Sequence, residues 1–157
     1  MKKNRALRSA VIVLGAFAIS APAWAAQNWP DSVDQYVAQV RKTIDTTDME
    51  GYLAIVNNPN GAFLLDVREE TEFKAGHVPG TTNVPRGLLE FRVWKTLGYP
   101  DKVGMRRKIY VQCAGGGRAT LAAEQLKKIG FTNVTAVVMD LAEWQKKGLP
   151  FVKDEAK

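Results

Sequence analysis

Three short apolar runs separated by helical patterns constrain this chain more than any other feature. Residues 62–67, 109–112 and 134–139 each read as a strand buried on both faces. Between and after them lie helices. Ala119, Ala122, Leu126 and Ile129 recur at spacings of three, four and three, with Gly130 at the position of a C-terminal cap. Residues 87–97 continue the helical pattern, and 141–147 form a last helix stopped by Gly148 and Pro150. Upstream, Val33, Val37, Val40 and Ile44 mark an amphipathic helix that is expected to dock on the rest. Thr47 with Glu50 resembles a capping box for a second helix lined by Met49, Leu53 and Val56, which the Asn-Asn-Pro-Asn-Gly stretch at 57–61 ends. Strands alternating with helices require crossover connections, so the fold class is α/β with a parallel sheet.

The first 25 residues stand apart from this pattern. A basic start (Lys2, Lys3, Arg5, Arg8), an uncharged apolar run over 9–20, and small residues at Ala23 and Ala25 have the form of an export signal cleaved after Ala25. The run is about 12 residues, short of the roughly 20 needed to cross a bilayer, so no membrane anchor is expected after cleavage. Its removal takes four cations and no acids, which lowers the formal charge from +6 to about +2. The basic balance is therefore mainly an address, and nucleic-acid binding has little support. The expected organisation is a signal over 1–25, a helical extension over 26–43, one domain over 44–152 and a charged tail over 153–157; export places the protein in a periplasm.

Cys113 is the single cysteine and His77 the single histidine. An internal disulfide is excluded, and no metal is expected because a zinc site needs more ligands of this kind. Cys113 stands where the strand 109–112 ends; Ala114, Gly115, Gly116 and Gly117 follow, and a helix is expected to begin near Arg118. Open parallel sheets bind ligands at this carboxyl edge. Consecutive glycines permit positive φ and can turn N–H groups inward as an anion-binding nest, to which a helix N-terminus adds positive potential. A sulfur held there is expected to be anionic and nucleophilic. The competing reading is a small core residue followed by a flexible loop.

Several ordered motifs carry a family resemblance. Leu64-Leu65-Asp66-Val67-Arg68-Glu69, Glu72-Phe73, Gly76-His77-Val78-Pro79-Gly80 and Asn83-Val84-Pro85, then Cys113 to Arg118, Gly130-Phe131-Thr132-Asn133-Val134 and Trp144 to Pro150, resemble the rhodanese family over roughly residues 44–152. The resemblance implies a rhodanese-like three-layer α/β fold with a five-stranded, mainly parallel sheet flanked by helices. It implies a sulfurtransferase in which Cys113 takes a sulfane sulfur from a small anionic donor such as thiosulfate, or from a persulfide, and hands it to a thiol or cyanide acceptor. A protein donor or acceptor is compatible with this chemistry, and no cofactor is implied. Cys113 is then the catalytic residue. Ala114, Gly115, Gly116, Gly117 and Arg118 form the substrate-binding loop, Arg86 is a second anion-binding candidate, Asp66 and Arg68 support the site, and the motif place of His77 is structural.

Related phosphatases and arsenate reductases use a longer loop; here four residues separate Cys113 from Arg118, the ring size suited to a terminal sulfur. Met139-Asp140 replaces a glycine pair common in the family, Ala114 a polar or basic residue, and Ala119 a frequent Ser or Thr. Met139-Asp140 makes that rim bulkier and more acidic and leaves the donor preference open, and the two alanines weaken the expectation of thiosulfate relative to a persulfide or protein-bound donor. A persulfide carrier without turnover, or a protein-binding module, is the alternative function.

Overall fold

The computed structural model describes residues 30–153. The expected export signal, residues 26–29 of the extension and residues 154–157 of the tail lie outside the described residues. Chain order is α1 (Val33–Arg41), β1 (Asp45–Thr47), α2 (Met49–Asn57), β2 (Phe63–Asp66), α3 (Glu70–Lys74), β3 (Thr81–Asn83), a 3-10 turn (Arg86–Leu88), α4 (Leu89–Thr96), β4 (Ile109–Gln112), α5 (Gly117–Lys128), β5 (Val134–Val137) and α6 (Leu141–Lys146).

The five strands form one sheet in the order β1-β5-β4-β2-β3, with every pairing parallel. The apolar runs make its centre, and alternation along each strand divides their side chains between two cores. Leu65, Ile109, Val111, Val134 and Ala136 face α4 and α5, packing with Val93, Ala122 and Leu126. Leu64, Tyr110 and Val137 face α2 and α6, where Tyr52 and Trp144 are fully buried with ring centroids 5.8 Å apart. The sheet is thus the middle of three layers. Helix α1 packs on α5 and so docks the N-terminal extension on the domain.

Several local details differ from the sequence reading. Strands β1 and β3 lie at the two edges and carry only polar residues, Asp-Thr-Thr and Thr-Thr-Asn; nothing apolar marks them, and their partner strands supply the order. Thr47 ends β1 and caps nothing. The cap of α2 is Asp48, whose carboxylate accepts the Gly51 N–H at 2.9 Å, because Asp48 is the residue that retains extended backbone at the helix start. Helix α1 closes at Arg41, before Ile44. Helix α3 has no counterpart in the sequence reading, being too short to show a period.

Candidate active site

Register builds the floor of the site. Parallel pairing sets Asp66 beside Gln112 on one side and Asn83 on the other, all at the carboxyl ends of their strands. Gln112 donates to Asp66 Oδ2 at 2.5 Å, and Asn83 donates from Nδ2 to the carbonyls of Asp66 and Arg68 at 3.0 and 2.9 Å. Arg68 folds back on Asp66: its Nε and one terminal nitrogen reach the carboxylate at 2.7–3.1 Å, and its backbone N–H reaches Oδ1 at 2.9 Å. The remaining guanidinium donors bond the carbonyls of Glu72 and Gly76 at 3.2 and 2.9 Å. Both side chains are buried, so each depends on the other for its charge. Asp66 and Arg68 hold the loop 68–76 against the sheet rather than facing a ligand.

Cys113 follows Gln112 on the opposite face, in line with Ile109 and Val111 in the α4–α5 core. It is buried, at 2% exposure. Its sulfur accepts the backbone N–H of Ala119 at 3.4 Å, from the first turn of α5. The amide that reaches Sγ thus belongs to a residue beyond the glycine loop. Among the three glycines only Gly116 has positive φ, at 82°, and an added Cβ there would meet Val138 Cα at 3.1 Å. Gly115 is exposed with open space around it, and Gly117 is already the first residue of α5. Two backbone bonds brace the loop: Thr120 N–H to Gly116 O at 2.9 Å, and Leu141 N–H to Ala114 O at 2.8 Å. The second ties the loop to the start of α6, whose cap is Asp140.

Arg118 turns to Glu72. Its two terminal nitrogens reach the two carboxylate oxygens at 2.7 and 2.8 Å, a bidentate fork, and Glu72 Oε2 also accepts the Glu69 N–H at 3.1 Å. The Arg118 bond, opposed by partial burial and helped by the Glu69 amide, lowers the Glu72 carboxyl to about 2. The same bond raises Arg118 further above its ordinary range, with the charge of the Cys113 sulfur acting in that direction too. Glu72 is the residue that sequence reading missed as a partner. Its signal, Glu72 within the Glu-Phe motif, was visible, but Arg118 lies 46 positions away.

Arg86 and His77 each have partners of their own. Arg86 begins the 3-10 turn after β3 and pairs with Glu90 at 3.3 Å. His77 stacks on Phe73, with centroids 3.8 Å apart, and Nδ1 lies 3.1 Å from the Phe73 carbonyl; its backbone exchanges two 2.8 Å bonds with Val152. Beside Gly115 a groove of about 460 Å³ is lined by Asp48, Met49, Met139, Asp140, Glu143 and Lys147, among others. Met139 is itself buried, so the bulk in place of a glycine pair packs into the α2–α6 core and leaves Asp140 at the rim.

Comparisons with known proteins agree with this geometry. The profile of the rhodanese-like domain family matches residues 48–147. A mitochondrial protein of Schizosaccharomyces pombe, provisionally named a thiosulfate sulfurtransferase, is 30% identical over 122 residues, covering 71% of this chain and 85% of the relative. A Bacillus subtilis protein provisionally named the sulfur carrier YrkF is 28% identical over 113 residues, covering 72% of this chain but 57% of the relative, so the chain spans little more than half of that protein. Among solved structures, RPA3614 of Rhodopseudomonas palustris, of unknown function and described as a possible tyrosine phosphatase, superposes with a TM-score of 0.65 at 24% identity, covering 80% of this chain and 98% of its own; this likeness shows the fold alone.

Proposed function

This chain belongs to the family of rhodanese-like domains, and on that premise we propose that it moves a sulfane sulfur from a donor such as thiosulfate or a persulfide to a nucleophilic acceptor through a persulfide on Cys113. Sulfur transfer or sulfur carriage is the general chemistry of its relatives. The observation that carries the reading is the seat of Sγ at the end of β4, under the first turn of α5 with the Ala119 N–H directed at it. A helix start stabilises negative charge, which suits a thiolate before transfer and a persulfide anion after it.

With thiosulfate, the Cys113 thiolate attacks the outer sulfur, the new S–S bond forms as the old one breaks, and the electron pair leaves on sulfite. With cyanide as acceptor, carbon attacks the terminal persulfide sulfur, thiocyanate leaves, and the electron pair of the broken bond returns to Cys113. The first turn of α5, through the Ala119 N–H, stabilises the sulfur anion that remains on the protein in each step. Thiols, including those of proteins, accept sulfur by the same displacement.

The basic, apolar and Ala-x-Ala pattern of residues 1–25 supports export to a periplasm. N-terminal sequencing of protein recovered from the periplasm should give Ala26; an intact Met1 in cytoplasmic extract rejects that location.

A carrier without turnover is the second reading, favoured by the burial of Cys113. Intact mass after exposure to thiosulfate or a small persulfide should rise by one sulfur, about 32 Da, and Cys113→Ser should abolish the gain while keeping the fold. Steady release of thiocyanate with cyanide establishes turnover; a mass gain without it establishes carriage. No gain from either donor rejects both readings.

A further inference from the structure

Every arginine that the sequence offers for drawing in an anion is already joined to a carboxylate. Arg68 is buried on Asp66, Arg86 pairs with Glu90, and Arg118, nearest in sequence to the sulfur, has both outer nitrogens on Glu72. A sulfonate group would need that same planar fork, and the charge that would attract it is cancelled at contact distance. The groove beside the loop adds to the imbalance. Asp48, Asp140 and Glu143 line it against the single cation Lys147, so its lining carries a formal charge of −2. Two of those carboxylates cap helices, Asp48 on the Gly51 N–H and Asp140 on the Ala142 N–H, and the third, Glu143, pairs with Lys147. A dianion approaching the Gly115 side of the loop meets net negative charge, and the arginine nearest in sequence to the sulfur has its fork filled by Glu72; Arg86 has a single terminal nitrogen on Glu90, one helical turn away.

We propose that Glu72 sets the donor class of this site: by neutralising Arg118 it selects a persulfide of low charge over a sulfonate-bearing dianion such as thiosulfate. Glu72 acts through Arg118 and is a positioning and specificity residue. The inference rests on the sulfur-transfer reading above. In the favoured reaction the Cys113 thiolate attacks the terminal sulfur of R–S–SH, forming Cys113–S–SH and releasing R–S⁻. One S–S bond is exchanged for another, the proton stays on the transferred sulfur, and no outside oxidant or reductant enters.

The test compares two donors, thiosulfate and 2-hydroxyethyl persulfide, whose body carries no charge beyond the sulfur. The readout is the ratio of kcat/KM for thiosulfate to that for the persulfide. Glu72→Gln retains one acceptor but frees the Arg118 charge, and should raise the ratio at least tenfold, mainly through a lower KM for thiosulfate. That gain should decline as ionic strength rises. Asp140→Asn keeps a helix cap while removing one rim charge and should raise the ratio two- to threefold. If Glu72→Gln does not fold, Glu72→Ala takes its place, with the same rise in the ratio expected; Asp140→Asn measures the rim charge alone. Equal loss of both donors in Glu72→Gln makes Glu72 a structural brace and overturns the proposal, as does a ratio unmoved within twofold in the folded variants. Failure of the native protein to transfer sulfur from either donor overturns the sulfur-transfer reading itself.

Discussion

Asp66–Arg68 and Glu72–Arg118 are the same chemical couple a few residues apart, yet they differ in almost everything that decides what such a couple does. The first is buried, and its spare donors end on backbone carbonyls. The second is over a third exposed on both side chains and spans two elements, α3 and α5. Burial makes the first pair obligatory, since loss of either member strands a charge away from water. Exposure makes the second pair weak in stability and adjustable in function, since solvent can stand in for either partner. A protein can therefore vary the charge offered to a ligand at Arg118 while the frame beneath it stays fixed.

Removing Asp66 is the harshest test of that contrast. Asp66→Ala leaves the Arg68 cation buried and uncompensated and should cost about 3–5 kcal/mol, seen as a lower denaturant midpoint with an unchanged slope. A cost near that of an exposed pair would erase the distinction. A smaller effect is expected at the loop joining the two regions. Gly116→Ala forces an L side chain into positive φ against Val138 and should cost about 1–3 kcal/mol, whereas Gly115→Ala should stay within about 0.5 kcal/mol because nothing stands near its Cβ. Equal costs at the two glycines would mean that the loop is not held by backbone geometry.

The exposed pair should show the smallest effect. Glu72→Gln is expected to destabilise by about 0.2–1 kcal/mol at pH 7 after allowance for solvent screening. Its carboxyl is lowered to about 2 in the folded protein from 4.5, so the unfolded chain takes up the proton first as pH falls. The pair's contribution is complete above about 4.5 and disappears as pH drops toward 2. Chemical denaturation of native and variant proteins across that range measures it; a difference that survives at pH 2, or that changes between pH 6 and 8, would show that the pair is not what Glu72 contributes.

The central strands were legible because burial on both faces leaves a continuous apolar run, as in Phe63–Asp66 and Ile109–Gln112. The edge strands were not: Asp-Thr-Thr and Thr-Thr-Asn have no pattern of their own and are ordered by their neighbours. The site divides similarly. The strand, loop and helix around Cys113 are contiguous and could be read in one pass. The polar frame is assembled across register, so Gln112 and Asn83 acquire their roles only when three strands lie side by side. Arg118 was visible as a charge, while its neutralisation depends on Glu72 from a distant short helix.

The strand order has a consequence for how the thiol fares while the chain is being made. β1 pairs with β5, about 90 residues later, and the carbonyl of Ala114 is bonded by Leu141, while His77 is bridged to Val152. A chain emerging N-terminus first presents Cys113 roughly 40 residues before the last of these partners arrives. Contacts of such long range form slowly relative to local helices. Until they close, the sulfur that ends up 2% exposed sits in an unfinished loop, open to an oxidant or to exchange with a disulfide of another protein, which leaves as a thiolate as the mixed disulfide forms. Its chemical lifetime is thereby tied to the pace of folding, and slow-folding variants should accumulate mixed disulfides even where their finished structure is native.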